Sequence, residues 1–284
     1  MSEIEPIDVV HLGCERVICC WRVDDVLIDP GPESALETLL EALGSLRPRA
    51  LLLTHIHFDH AGAAGSLCQR FDGLEVHVHE VGAPHLADPE RLVGSARRLY
   101  GEDFDRLWGE VVPVPADRLR PLGVTEGERQ VLGFRAANTP GHARHHACFL
   151  HEPSGHAFVG DTAGVRIPPA SYALAPTPPP EIDLEAWRAS LQLLGAWGPD
   201  VMGLTHFGAV TDVPSQLTAV GAWLDEWAPA AREMDAEEFA DALHARIGAE
   251  VDGDTAPVYE QAAPANQVWQ GLRRYWEKRE EAAD

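Results

Sequence analysis

The chain has 284 residues, room for one large core or a core with an appendage, because single hydrophobic cores stop growing at about 250–300 residues. Its 45% hydrophobic and 24% charged composition is that of a folded globular protein. With 45 acidic residues against 22 basic ones the formal charge is −23, which repels phosphate backbones and anionic bilayers and sets aside nucleic acid and membrane as partners.

The acidic start MSEIEPIDVV lacks a basic stretch followed by an apolar one, and no apolar run approaches about 18 residues, so neither secretion nor a membrane span is expected. Five cysteines (Cys14, Cys19, Cys20, Cys68 and Cys148) are an odd number without a C-x-x-C spacing, which fits reduced thiols in a cytoplasm. From Ile7 to Ile28 the segments VVHL, RVICCWRV and DVLID read as short strands, rich in β-branched residues and separated by polar or Gly breaks. Leu36, Leu39, Leu40 and Leu43 then repeat with helical spacing, and ALLLT is a buried strand ending immediately before His55. A helix over 59–71 and the strand EVHVH follow.

Residues 84–108 form a helical insertion with Leu92, Ala96, Leu99 and Leu107 roughly on one face, a spacing that packing on the body explains. Strand-like segments fill 118–137, and ACFL and HAFVG flank the turn Glu152-Pro153-Ser154-Gly155. A helix over 184–197 and the strand VMGLT lead to His206. Beyond Thr211 helical patterns take over, with Leu217, Val220, Leu224 and Trp227 in one segment and Phe239, Leu243 and Ile247 in the next. The order predicts an α+β fold, a layered αββα body over 1–211 with a helical C-terminal cap over 212–284 packed on it.

The chemistry concentrates in Thr54-His55-Ile56-His57-Phe58-Asp59-His60, directly after the ALLLT strand. Residues two apart on extended backbone project to the same side, so His55 and His57 can grip one ion while Asp59 and His60, at the first turn of a helix, reach a second. Three further candidates close apolar strands: His142 in Thr139-Pro140-Gly141-His142, Asp161 in Gly160-Asp161-Thr162, and His206 in Leu204-Thr205-His206. Imidazole and carboxylate donors without thiolate suit zinc, iron or manganese. The other histidines, His77 and His79 included, read as surface or packed side chains.

His-x-His-x-Asp-His followed by an isolated His, an Asp and a last His resembles the metallo-β-lactamase superfamily, over roughly residues 9–211. The resemblance implies a four-layer αββα sandwich with two divalent metal ions, zinc expected. His55, His57 and His142 would hold the first ion, Asp59, His60 and His206 the second, and Asp161 would bridge them. Asp29 in LIDPG falls where the family has an aspartate that orients ligands. The chemistry implied is attack by a bridging hydroxide on an electrophilic centre, with Asp59 and Asp161 as catalytic as well as ligating residues. The sequence departs from the family in reading TPGH-Ala-Arg-His-His, which leaves His145 and His146 as candidate pocket neighbours.

Around the metals, the Pro-rich stretch 166–182 is the expected substrate-facing loop, with Tyr172 as a hydrogen-bond donor to a carbonyl or oxyanion, and Leu174 and Phe207 as apolar wall. Arg97, Arg98, Arg144 and Arg166 are cations that a substrate carboxylate could use, though no motif singles one out. Tyr259, Trp269, Tyr275 and Trp276 suit core packing or a homodimer contact. The function expected is hydrolysis of an ester, thioester, lactone or amide-like bond in a small molecule. The alternative is an oxidoreductase like the mononuclear iron persulfide dioxygenases of the same superfamily; a phosphodiesterase ranks lower. Neither a basic glutathione-binding pattern, as in glyoxalase II, nor the flavin domain of flavodiiron reductases is present.

Overall fold

The computed structural model describes residues 2–282. Its first sheet begins with β1 (Ile4–Asp8), antiparallel to β2 (Cys19–Val23), which pairs with β3 (Val26–Ile28). β4 (Ala50–Leu52), β5 (Glu75–Val78) and β6 (Leu119–Pro121) extend it in parallel. In the second sheet β7 (Arg129–Val131), β8 (Phe134–Asn138), β9 (Ala147–His151) and β10 (His156–Gly160) are antiparallel neighbours. β11 (Val201–Leu204) joins β10 in parallel and β12 (Gly208–Val210) closes the edge.

Period-two alternation decides what each strand face meets. Trp21, Val26, Ile28 and Leu52 of the first sheet point inward onto Phe134, Phe149 and Phe158 of the second. Truncating one of these phenylalanines to Ala would cost about 3–5 kcal/mol through the cavity left behind. The intervening residues Cys20, Leu27 and Leu51 face outward under α1 (Leu36–Leu43) and, beyond the short α2 (Phe58–Ala61), α3 (Ala64–Arg70), whose Leu39 and Leu67 cover them. Three more helices, α4 (Ala83–Ala87), α5 (Glu90–Tyr100) and α6 (Phe104–Trp108), form the excursion between β5 and β6. On the far side Cys148, Leu150, Ala157 and Val159 pack under Leu194 of α7 (Leu184–Trp197) and Val213 of α8 (Val213–Glu233). The four-layer αββα sandwich expected from the element order is the one observed.

Residues past α8 fold as α9 (Ala236–Glu250), α10 (Ala256–Ala262) and α11 (Ala265–Glu281). Asp235 caps α9 in a capping box with Glu238. Tyr259 is buried, and the indoles of Trp269 and Trp276 donate to the Met234 and Ala228 carbonyls, so these aromatics tie helix to helix. No helix among the described residues is long and apolar enough to cross a membrane.

Two local expectations need correction. VVHL is not a strand: Asp8 takes the amides of Val10 (2.9 Å) and Arg16 (2.7 Å), and the chain turns with Val10 at φ 49° and Leu12 at φ 55°. The helix over 59–71 is broken in two at Gly62, where the loop after β3 intervenes: Gly31 N donates to the His60 carbonyl and the Gly31 carbonyl accepts from Ala63 N.

Candidate metal centre

All the candidate ligands lie where strands of the two sheets end along one edge of the sandwich. His55 and His57 follow β4, with Asp59 and His60 in α2; His142 follows β8, Asp161 follows β10, and His206 follows β11. Cross-sheet bonds hold the edge together: Trp21 Nε1 donates to the Leu204 carbonyl (3.0 Å), Cys19 N to Thr205 O (2.8 Å), and Ala147 N to Thr54 O (2.7 Å). Two glycines are sterically required. A Cβ on Gly141 would sit 2.7 Å from Trp187 N, and one on Gly160 would meet Thr54 Oγ1 at 2.5 Å and His146 Nε2 at 2.6 Å.

The side chains converge as two groups sharing Asp161. His55 Nε2 and His142 Nε2 lie 2.9 and 3.0 Å from His57 Nδ1, and His142 Nε2 is 3.2 Å from Asp161 Oδ2. On the other side His60 Nε2 is 3.2 Å from Asp161 Oδ1, while His206 Nε2 stands 3.3 Å from Asp59 Oδ2 and 3.6 Å from Asp161 Oδ1. Donors held ~2.0–2.1 Å from a tetrahedral zinc lie roughly 3.3 Å apart, so these separations fit ligand edges. Three of the atoms, His60 Nε2, His206 Nε2 and Asp161 Oδ1, are buried without a hydrogen-bond partner. Buried polar atoms are seldom left so, and a divalent cation on each side of Asp161 satisfies them all.

The atoms that face away are committed. His60 Nδ1 donates to Asp29 Oδ2 (2.7 Å), His142 Nδ1 to the Pro176 carbonyl (2.8 Å) and His206 Nδ1 to the Val17 carbonyl (2.6 Å), so each ring offers Nε2 to a metal. Asp29 is fully buried and also accepts from Thr54 N (2.8 Å), Thr54 Oγ1 (2.7 Å) and Thr205 Oγ1 (2.8 Å). His146, fully buried, accepts the Asp161 amide on Nε2 at 3.2 Å, which puts its own proton on Nδ1 beside the Thr139 hydroxyl (2.9 Å). It positions Asp161 from behind. The ring of His145 stands 5.8 Å from that of His57, with Nδ1 buried and unpartnered.

Burial divides the protons unevenly. Desolvation, with repulsion from neighbouring imidazoles, holds His55 and His142 below the usual imidazole range and His57 down to about 3. Burial acts in the same sense on His60 and His206, but the carboxylates of Asp161 and Asp59, with Asp29 at His60, outweigh it and raise both. Asp59 is opposed by burial yet held well below the carboxylate range by His60 and His206, which favours it as a ligand over a base.

Tyr172 is elsewhere. Its hydroxyl accepts from Trp223 Nε1 (3.1 Å), its carbonyl from Tyr259 Oη (2.6 Å), and burial pushes its phenol up to about 12. It does not line the cavity above the ligands, nor do Leu174 and Phe207. That cavity, of about 290 Å³, opens over His57, Asp59, His142, Asp161 and His206. One wall is the later part of the Pro-rich loop, Pro176–Pro180; the others come from α5 and α6, from α10 and α11, and from His11, Val17 and Ile18. His11, expected to be an ordinary packed or solvated side chain, is buried on this wall with its ring stacked on Trp108 at 5.7 Å. None of Arg97, Arg98, Arg144 and Arg166 reaches the cavity; Arg97 pairs with Asp105 and Arg144 with Glu181. His77 pairs with Glu75, and His79 bonds Asn138.

Comparisons with known proteins agree with this architecture. The sequence profile of the Metallo-beta-lactamase superfamily matches residues 24–233. The metallo-beta-lactamase fold-containing protein ST1585 of Sulfurisphaera tokodaii is 28% identical over 72% of this chain and 77% of its own length. Its solved structure superposes with a TM-score of 0.69 over 96% of this chain and 99% of that one. A hydroxyacylglutathione hydrolase of Enterobacter sp. is 31% identical over 48% of this chain and only 41% of its own length. The crystal structure of TTHA1623 in a di-iron-bound form gives a TM-score of 0.52 at 26% identity, over 77% of this chain and 91% of that one.

Proposed function

This chain belongs to the metallo-β-lactamase superfamily, and from that premise we propose that it is a dinuclear metal-dependent hydrolase of an ester, thioester, lactone or amide-like bond in a small molecule. The observation that carries the reading is the convergence of seven candidate ligands, His55, His57, Asp59, His60, His142, Asp161 and His206, on two points sharing one carboxylate at the floor of a cavity, with His60 Nε2, His206 Nε2 and Asp161 Oδ1 left without a partner. Two divalent cations so held, with zinc, iron and manganese all suited to these donors, would supply Lewis acidity to acidify water and polarise the oxygen of an electrophilic centre.

The chain's own residues do the rest. His55, His57 and His142 stand ready as neutral donors, and Asp161 spans both halves with its backbone fixed by His146. Asp29 fixes the His60 ring so that Nε2 faces inward. Among the described residues no Cys or Lys lines the cavity, the Thr177 hydroxyl is spent on the Val268 carbonyl, the Tyr100 hydroxyl donates to Gln267 and burial raises its phenol, and no hydrogen bond joins Ser95 to an imidazole, which favours water as the nucleophile. The apolar walls lower the polarity around the floor, which strengthens charge interactions there.

The test is metal quantification on the purified protein together with a panel of lactones, thioesters, phosphodiesters and β-lactams. Two ions per chain with hydrolysis of an acyl substrate, both lost in Asp161→Ala, are expected. One iron per chain with oxygen consumption on a persulfide, or full metal with no hydrolysis across the panel, overturns the reading.

A further inference from the structure

The cavity above the ligands is apolar almost everywhere its walls can be read. Val17, Ile18, Leu92, Trp108, Pro178 and Val268 represent its four sides, and among the described residues no Lys or Arg lines it. The charged side chains that do reach it, Asp59 and Asp161, stand at the ligand floor. An anionic tail on a substrate would find no counter-charge on these walls and would enter against a chain of net charge −23.

The walls are also preformed. His11 Nε2 donates to the Leu107 carbonyl (2.9 Å) while Gln261 Nε2 donates to the His11 carbonyl (2.9 Å), which joins the N-terminal turn, α6 and α10. His11 sits between two non-glycine residues at positive φ, Val10 and Leu12, conformations that cost about 1–3 kcal/mol each and persist only when the surroundings over-determine them. Opposite, Thr177 Oγ1 donates to the Val268 carbonyl (2.9 Å) and clamps the Pro176–Pro180 segment to α11. At the mouth stands Leu99, a large hydrophobic side chain on the cavity wall that remains 38% exposed.

We propose that the substrate carries a neutral, apolar alkyl or acyl arm that lies in this cavity between the stacked His11–Trp108 rings and the Pro176–Pro180 wall, and leaves past Leu99. The location of the reacting bond rests on the hydrolase reading; the arm site rests on the cavity's own walls. Burying each further methylene against walls already in place raises affinity by about fourfold, the ratio that roughly 0.8 kcal/mol per CH₂ gives. The gain stops once the chain has filled the cavity and runs past Leu99.

Two series test this on the zinc-loaded protein. Calorimetric binding of straight-chain 1-alkanols is expected to tighten about fourfold per carbon before levelling, and kcat/KM for para-nitrophenyl acyl esters to rise in parallel. An acyl chain ended by an ω-carboxylate should fall at least about tenfold below its methyl-ended counterpart. In Leu99→Asp, an exposed position where folding is not at stake, the steps at the longer chain lengths should collapse towards one in both series. A flat alkanol series, a preference for the carboxylate-ended chain, or unchanged steps in Leu99→Asp overturns the arm site. Alkanol affinity that grows with length in a protein that hydrolyses nothing sustains the arm site and sinks the hydrolase reading; hydrolysis with a flat series does the reverse.

Discussion

Asp29→Asn changes one atom and should disable half of the metal centre. The Asp29 carboxylate receives four donors: the Thr54 amide on Oδ1, and on Oδ2 the Thr54 hydroxyl, the Thr205 hydroxyl and His60 Nδ1–H, all at 2.7 to 2.8 Å. An asparagine at this position keeps its carbonyl for the Thr54 amide, which has no other role to take, and so turns its NH₂ towards His60. The two hydroxyls can rotate to accept. The imidazole can follow only by moving its proton from Nδ1 to Nε2, the atom that faces Asp161 at 3.2 Å, and a protonated Nε2 cannot ligate. Loss of such an orienting partner costs about 10–100-fold in metal affinity, or about 1.4–2.7 kcal/mol. The side chain is nearly isosteric, so the melting temperature should move less than the metal content. Chelator competition read by metal analysis should give one tightly held ion instead of two, with the ¹⁵N shifts of His60 reporting the switched tautomer. Two ions held at wild-type affinity in Asp29→Asn would refute the tautomer argument.

Acidification should strip the two halves in order. His60 and His206 hold protons that a metal must displace, because nearby carboxylates raise them, whereas His55, His57 and His142 are lowered by burial and are already deprotonated near neutrality. Affinity at the Asp59–His60–His206 side therefore falls first as the pH drops, starting above the ordinary imidazole range, and dialysis at stepped pH should pass through a one-metal plateau; simultaneous loss, or loss from the histidine triad first, contradicts this. Tyr172→Phe leaves Trp223 Nε1 without its acceptor and should cost about 1–3 kcal/mol, some 2–12 °C in Tm, with kcat/KM and metal content unchanged; a fall in turnover at full metal would return Tyr172 to the site. Gly271→Ala would drive a Cβ into the Thr177 carbonyl, with Pro178 C only 2.9 Å away, and should cost about 1–3 kcal/mol while raising KM, because it moves the cavity wall. Steady-state kinetics and thermal melts on one preparation check it, and an unchanged Tm would mean that α11 does not press on the loop.

The seven ligands were legible because four stand within one six-residue run and the other three each close an apolar strand, so local pattern and chemistry coincide at every one of them. Tyr172 was misplaced because nearness in sequence to Asp161 says nothing about which way a proline-rich loop faces. The chain turns Tyr172 onto α8 and α10 and pairs Leu174 with Val165, and only then brings Pro176–Pro180 over the candidate ligands. His11 offered no signal at all. Its place depends on a turn held by Asp8 and on partners 96 and 250 residues away, contacts no periodicity encodes. The apolar stripe of α5 was read as packing, and half of it is: Ala96 sits with Phe104 and Trp108 in a small core of its own, while Leu99 stays open at the cavity mouth.

The ligand floor and the cavity walls are built by different means, which bears on how such a protein can change. The floor is fixed by strand ends, by glycines whose neighbours leave no space for a Cβ, and by a buried carboxylate that binds Thr54 of one sheet to Thr205 of the other. Altering any of these disturbs both sheets at once. The walls instead come from four separated segments joined by single contacts: His11 to Leu107 and Gln261, Thr177 to Val268, and the close approach of Gly271 to the proline loop. A substitution in one wall reaches the floor through the two carbonyls that orient candidate ligands, Pro176 to His142 and Val17 to His206. On the hydrolase reading, the ligand positions are thus held by both sheets together, and the space for a substrate by separated segments that meet the floor at Pro176 and Val17.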